Sequence, residues 1–477
     1  MKHRKQNAPS DKPRANHRGQ CLILIGLVVS AVIFCIVMFF LQLHGRNLTV
    51  LTVNGHKVSQ AELQYYYIEG ISDYLEKTSR YSDEDLPAID FEKPLSEQPC
   101  PMLSNQSWHD YFLKSAIQKI GRDTADESEA LVDDRIAAEA AAMRVGAIDL
   151  LAQEAGMSTE ALLLEKYGNG VSLELIEDIE NRAARRERLI GLQVEERVFS
   201  DEELEDYFQS KRIWNMLATY TAVPLDCDSS QYEDVLSDLA GVDNEEDFFA
   251  RCTAYTEHNA VDCCVRYENV KATQMEDYTV AEWVLSTSRV PMETTVVRSY
   301  DETTYQEILI ALQFHDSKRN DSPTWSYQEI LLYPEMVHVG DTNRYLGGKN
   351  YYLFDLPAME LDRETFDIYS LAFSSLSSAE PFGWEQRSQE ELGDTVYSQW
   401  LTSKERKPGE LRVFETNYGA HVIRYIGEGS PAWQANAEAA LREAYCAQLL
   451  DELDDAATQR ASLLYSLLTS EKWLCIP

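Results

Sequence analysis

The sequence is poor in the residues and spacings on which most catalytic chemistry depends. It has no Cys-x-x-Cys pair, no His-Glu-x-x-His, no glycine-rich phosphate loop and no serine nucleophile elbow. Zinc ribbons, thioredoxin-type redox chemistry, zinc proteolysis, P-loop chemistry and α/β-hydrolase chemistry therefore lack their groups. No cofactor and no metal is called for. His258, His315 and His338 have no partners at metal-ligand spacing and read as surface residues. Basic residues are also scarce, with 43 Lys+Arg against 80 Asp+Glu and a formal net charge of -37. Such a chain repels phosphates, which argues against nucleic acid as a partner. Its acidity serves solubility, or attracts basic clients and a cationic envelope.

The cysteines leave alternatives open. Cys21 and Cys35 lie in an apolar run, and Cys100, Cys227, Cys252, Cys263, Cys264, Cys446 and Cys475 lie outside it. Cys252 is close in sequence to Cys263-Cys264. An oxidising exterior permits a disulfide between them, or from one of them to Cys227. Buried free thiols are the other reading.

Long apolar runs are absent with one exception, Cys21 to Leu41, which carries no charge. A run of about 20 residues spans a bilayer core. Lys2, Arg4, Lys5, Lys12, Arg14 and Arg18 precede it against a single acid, Asp11. The positive-inside rule then keeps residues 1–20 in the cytoplasm, makes 21–43 an anchor and places the rest outside. A cleaved signal peptide would need a shorter apolar core and a small-x-small site after it. The exit Phe40-Leu-Gln-Leu-His-Gly45 has no such site. The localisation expected is a single-pass membrane protein. Of the 477 residues, about 430 then form the outer part, enough for two to four domains with their own cores.

The outer part opens on a hairpin-like segment, residues 50–57, with Asn54-Gly55 as its turn. Ser59-Gln-Ala-Glu62 has capping-box spacing and starts a helix with Leu63, Tyr66, Tyr67 and Ile71 on one face. Residues 80–104 are rich in Pro, Asp and Glu and read as a loop. Helices dominate 105–212: Asp123 to Glu154, a restart at Ser158, an amphipathic stretch Val171 to Val198, and a second capping box at Ser200-Asp-Glu-Glu203. Met216 to Leu225 is a strand, followed by a helical stretch over 229–257, the segment Val280-Ala-Glu-Trp-Val-Leu285, and strands Thr294–Ser299 and Tyr305–Leu312. A similar order recurs: strand Ser326–Leu332, helix Phe366–Ser375, a short helix Val396–Leu401, then a hairpin. That hairpin is the most informative stretch. Pro408-Gly409 breaks the preceding helix. Leu411, Val413 and Thr416 lie on its first strand, Asn417 to Ala420 turn the chain, and His421, Ile423 and Tyr425 alternate with Val422, Arg424 and Ile426. Ala432 to Leu468 reads as a last helix.

The turn Tyr418-Gly419-Ala420-His421 entering a strand resembles the last hairpin of parvulin-type peptidyl-prolyl isomerases. The helix Phe366-x-x-x-x-Leu371-Ala372 is similar to theirs, and the Val53-Asn-Gly start resembles SurA/PrsA-type chaperones. The resemblance implies an α+β fold. Its parts are a helical chaperone domain at 50–212, parvulin-like repeats at 215–313 and 325–427 built on small antiparallel sheets, and a C-terminal helix at 431–471. It implies a foldase that binds unfolded or newly exported polypeptides. Prolyl isomerisation has a barrier of roughly 18–20 kcal/mol from amide resonance. Lowering it takes an apolar clamp on the ring and an environment suited to a twisted amide. Parvulins use an aromatic pocket and two facing histidines. His421 matches the second as the candidate catalytic residue. Glu329 stands where the first is expected, and Thr219 to Val223 lacks it in the first repeat. Trp400, Phe373 and Phe414 are the candidate substrate-binding residues, with Trp283 the counterpart of Trp400. His421 also reads as a hydrogen-bonded structural histidine, and Trp400 as core. Isomerase activity is thus open, and a non-catalytic envelope scaffold for one partner is the alternative from another class.

Protease added to intact protoplasts should digest the large outer region. A mature chain that starts near residue 45 would contradict the uncleaved anchor.

Overall fold

The computed structural model describes residues 48–80, 87–125, 134–275, 277–300, 307–332, 336–339, 342–345, 362–373, 384–416, 419–463 and 465–474. The expected anchor lies outside them. Among the described residues no helix is long and apolar enough to cross a membrane. The fold is a mixture of helices and small antiparallel sheets. It divides into two compact units, one of residues 1–130, 145–183 and 452–477, the other of 131–144 and 184–451.

The first unit begins with a hairpin of β1 (Thr49–Val53) and β2 (His56–Ser59). Asn54 and Gly55 have φ of 51° and 84°, the left-handed pair that a two-residue hairpin turn requires. The Ser59 hydroxyl accepts the Glu62 N–H at 3.1 Å at the head of the helix Gln60–Arg80. Leu63, Tyr66, Tyr67 and Ile71 of that helix are buried as expected, against Trp108, Phe112 and Ile120 of the helix Trp108–Asp123. Two of its tyrosines find partners inside: Tyr66 donates to Asp123 at 2.7 Å and Tyr65 to Glu180 at 2.8 Å. Burial pushes both phenols well above their usual pKa. The helix expected from Asp123 starts later, as Asp134–Ala155, because Asp123 closes the preceding helix and Thr124 caps it.

The second unit holds two four-stranded sheets. The first comprises β3 (Met216–Leu225), β4 (Val265–Val270), β5 (Thr294–Tyr300) and β6 (Glu307–Arg319), in the order β4-β3-β6-β5. The second comprises β7 (Thr324–Leu332), β10 (Trp384–Ser388), β11 (Leu411–Thr416) and β12 (Gly419–Glu428), in the order β10-β7-β12-β11. Between β7 and β10 runs a separate two-stranded ladder of β8 (Met336–Val339) and β9 (Thr342–Tyr345). Both large sheets thus follow one plan, second-first-fourth-third, antiparallel throughout.

The two sheets agree in detail. In each, the last strand carries one extra residue opposite the first, His315 between Phe314 and Asp316 and Ile426 between Tyr425 and Gly427. Such a bulge sharpens strand twist. Tyr220 pairs with Phe314, and Tyr327 with Tyr425. Ahead of each hairpin the chain reads Trp-x5-Arg-x-Pro-x-Glu: Trp283, Arg289, Pro291 and Glu293, then Trp400, Arg406, Pro408 and Glu410. Each Arg stacks on its Trp, at 4.9 and 5.1 Å from the ring centroid, and pairs with its Glu. The residue before the Glu is left-handed in both, Met292 with φ 70° and Gly409 with φ 89°. Its N–H bonds the last strand, Met292 to Phe314 O at 2.7 Å and Gly409 to Tyr425 O at 2.8 Å. Lys271 of the first sheet's connection ties the sheets together through Glu391 at 2.9 Å.

Each sheet is covered on both faces. In the second, the helix Arg363–Phe373 lays Phe366 and Tyr369 on Ile330 and Val422. The opposite face packs Tyr327, Ile423 and Tyr425 against Tyr397, Trp400 and Leu401, residues of and beside the short helix Ser398–Leu401. The terminal helix ends at Ala456, short of the expected Leu468. The tail leaves it to pair β13 (Gln459–Ala461) with β1, Leu51 opposite Ala461, while Asn54 Oδ1 accepts the Thr458 N–H at 2.9 Å. The start of that helix belongs to the second unit, where Trp433 packs on Phe208.

A Cβ at Gly409 would meet nothing within 4 Å, so only backbone strain opposes a side chain there. Gly409→Ala should cost roughly 1 kcal/mol, and Met292→Gly should cost nothing or stabilise, since left-handed backbone disfavours any Cβ. The urea midpoint checks both signs.

Candidate active site

The candidate residues meet across the central strand pair of the second sheet. His421 pairs with Leu331, and Glu329 with Ile423. His421 and Glu329 therefore sit diagonally on one face, within reach of long side chains. The His421 Nδ1–H donates to Glu329 Oε1. Its other nitrogen, Nε2, lies 2.9 Å from Thr416 Oγ1, the last residue of β11. With a neutral ring that nitrogen accepts the Thr416 hydroxyl proton. Tyr397 donates to the second Glu329 oxygen at 3.3 Å and packs at 5.6 Å from the imidazole. Burial, reinforced by the Glu329 charge, pushes the Tyr397 phenol up to about 12.

The aromatic residues form the floor. Trp400 is only 8% exposed. It meets Phe414 edge-on at 5.7 Å, and Phe414 lies 5.9 Å from Tyr397. Arg406 covers the other side of Trp400. Of the expected substrate-binding residues, Phe414 and Trp400 are thus brought beside His421. Phe373 ends the helix Arg363–Phe373, whose Phe366 and Tyr369 lie on the opposite face. Tyr397 and Thr416 were not anticipated as site residues. The signal for Thr416 was present, since Thr416 and His421 belong to one hairpin; Tyr397 directly precedes a short helix whose aim no local pattern fixes.

The shared register identifies the same place in the first sheet. Pro224 pairs with Ile310 there as Leu331 pairs with His421 here. Ile310 and Ala222 thus occupy the positions of His421 and Glu329. Both are buried in a hydrophobic cluster with Val280, Val284 and Phe314. His315, expected at the surface, is half-buried at the bulge and hydrogen-bonds Thr221 at 2.8 Å. Burial and the Arg266 charge hold its pKa below the usual value.

No family model matches the sequence, and neither does any curated protein. Among solved structures, the foldase protein PrsA from Lactococcus lactis is similar at 12% identity over 57% of this chain and 79% of that one, with a TM-score of 0.18. Foldase protein PrsA from Streptococcus pneumoniae is similar at 12% identity over 62% of this chain and 89% of that one, also with a TM-score of 0.18. At that score no residue role is carried across.

The first sheet shows what an apolar replacement looks like, which gives a test. His421 and Glu329 have side chains only 11% and 17% exposed, and breaking one half of such a pair costs about 3 kcal/mol. Glu329→Ala alone should lose that much in urea unfolding. Glu329→Ala with His421→Ile, the first sheet's solution, should lose less than the single change. Simple additivity of the two losses would contradict the pairing.

Proposed function

We propose that the protein is a membrane-anchored extracytoplasmic folding factor that holds unfolded or newly exported polypeptides, and that its second sheet keeps the frame of a prolyl isomerase without the turnover. The observation that carries the second half is the occupation of the site. Both ring nitrogens of His421 are engaged, by Glu329 and Thr416, and Trp400 is packed into the aromatic cluster. An isomerase needs a free apolar cradle for the proline ring and polar groups poised for the twisted amide. Here the ring that would line the cradle fills it.

The holding function rests on the resemblance of the Val-Asn-Gly start and its aromatic helix to chaperone domains, and on the parvulin-like turn at Tyr418 to His421. The common plan of the two large sheets supports reading them as a repeated module. The first sheet, with Ile310 and Ala222 in place of the polar pair, has no groups for amide chemistry at that position and suits binding or support.

The soluble region, residues 46–477, should suppress aggregation of several unrelated unfolded proteins at near-stoichiometric amounts, followed by light scattering. Absence of suppression for all of them, with saturable binding of one folded envelope protein, would favour the scaffold.

A further inference from the structure

We infer that Cys252 and Cys263 join in a disulfide when the chain folds in the presence of a low-molecular-weight disulfide, making a redox site on the face of the first sheet away from the Trp283 helix. The argument begins with backbone placement. The helix Glu245–Cys252 ends at Cys252. The next residue, Thr253, accepts the Ala260 N–H on its hydroxyl at 3.1 Å. The head of the short helix Ala260–Cys263 is thereby tied beside Cys252. Ala260 and Cys263 are three residues apart and share a helix face. Ala260 is fully buried in the same cluster as Cys252, with Val223, Leu225 and Phe248, and Cys263 packs against that cluster. Cys252 and Cys263 therefore border one apolar cluster on the same side of the sheet. Cys252 and Cys263 are free thiols here; Cys263 rests its thiol on the Ala260 carbonyl at 3.6 Å within the helix, whereas Cys264 follows the helix in extended conformation with its thiol on the Val261 carbonyl at 3.3 Å, also bordering the cluster. Cys227 touches the same cluster from the loop after β3, held by Asp226 N–H to Tyr255 O at 3.0 Å. The thiol whose charge bears on Cys252 is that of Cys263.

The chemistry is thiol–disulfide exchange. The Cys263 thiolate, the more accessible of the two, attacks one sulfur of oxidised glutathione and expels a glutathione thiolate. The Cys252 thiolate then attacks the Cys263 sulfur of the mixed disulfide and expels the second. Two electrons pass to the glutathione disulfide, and the two cysteine protons end on the two glutathione thiols. Burial pushes the Cys252 thiol up to about 12, so its thiolate is scarce in the finished fold and the bond forms during folding. Residues outside the membrane meet the oxidising conditions in which such a bond persists.

The test is to unfold the full-length chain, refold it in a glutathione redox buffer, alkylate, digest without reduction and analyse the peptides by mass spectrometry. The expected product is a linked peptide pair containing Cys252 and Cys263. It should persist in Cys264→Ser and disappear in Cys263→Ser. Reductant should lower the urea midpoint of the parent and of Cys264→Ser but leave Cys263→Ser unmoved. Complete alkylation of Cys252 in the parent chain, or its recovery linked to Cys227 or Cys264, would overturn the inference.

Discussion

The pairing of first strand with last holds each large sheet together. β3 finds β6, and β7 finds β12, across a long stretch of intervening chain. Closing so long a loop costs entropy before any contact repays it. Everything between the paired strands is positioned by that closure: the second strand flanks the first, the hairpin flanks the last, and helices cover both faces. The two sheets reach the closure with the same bulge, the same Trp–Arg–Glu tie and the same left-handed residue ahead of the hairpin.

What differs between the sheets is the content of one pair of positions. In the second, a histidine and a glutamate are buried together beneath an aromatic layer. In the first, isoleucine and alanine stand there. Burying polar side chains gains little stability unless their hydrogen bonds are matched. Here the matching extends through Thr416 to the imidazole and through Tyr397 to the carboxylate. Both members of the pair thus have a second hydrogen-bond partner from a neighbouring element.

Much of the local structure was legible in the sequence because its signals are local. Asn54-Gly55 carried its own turn, Ser59 and Ser200 carried their caps, and the alternation from His421 to Tyr425 gave the faces of β12. The hairpin itself is tighter than read, since Thr416 already pairs with Gly419. Three features were not legible for a common reason: each depends on a distant partner. β4 has a largely exposed sequence, Val265 to Val270, with little apolar alternation to mark it. β13 lies in a stretch compatible with helix and pairs as a strand with the edge that β1 offers. The Glu329–His421 contact follows from strand register, which neither segment states alone.

The central claim is that the second sheet binds without turning over. Exchange spectroscopy on a proline peptide resolves its cis and trans signals in one sample, so binding and isomerisation are read together. With the soluble region added, shifts or broadening of the peptide signals without new cis–trans exchange peaks would match this account, and His421→Ala would leave the exchange rate at background. Exchange peaks that appear with the protein and vanish in His421→Ala would contradict it, and would show that Glu329 can serve where a second histidine was expected.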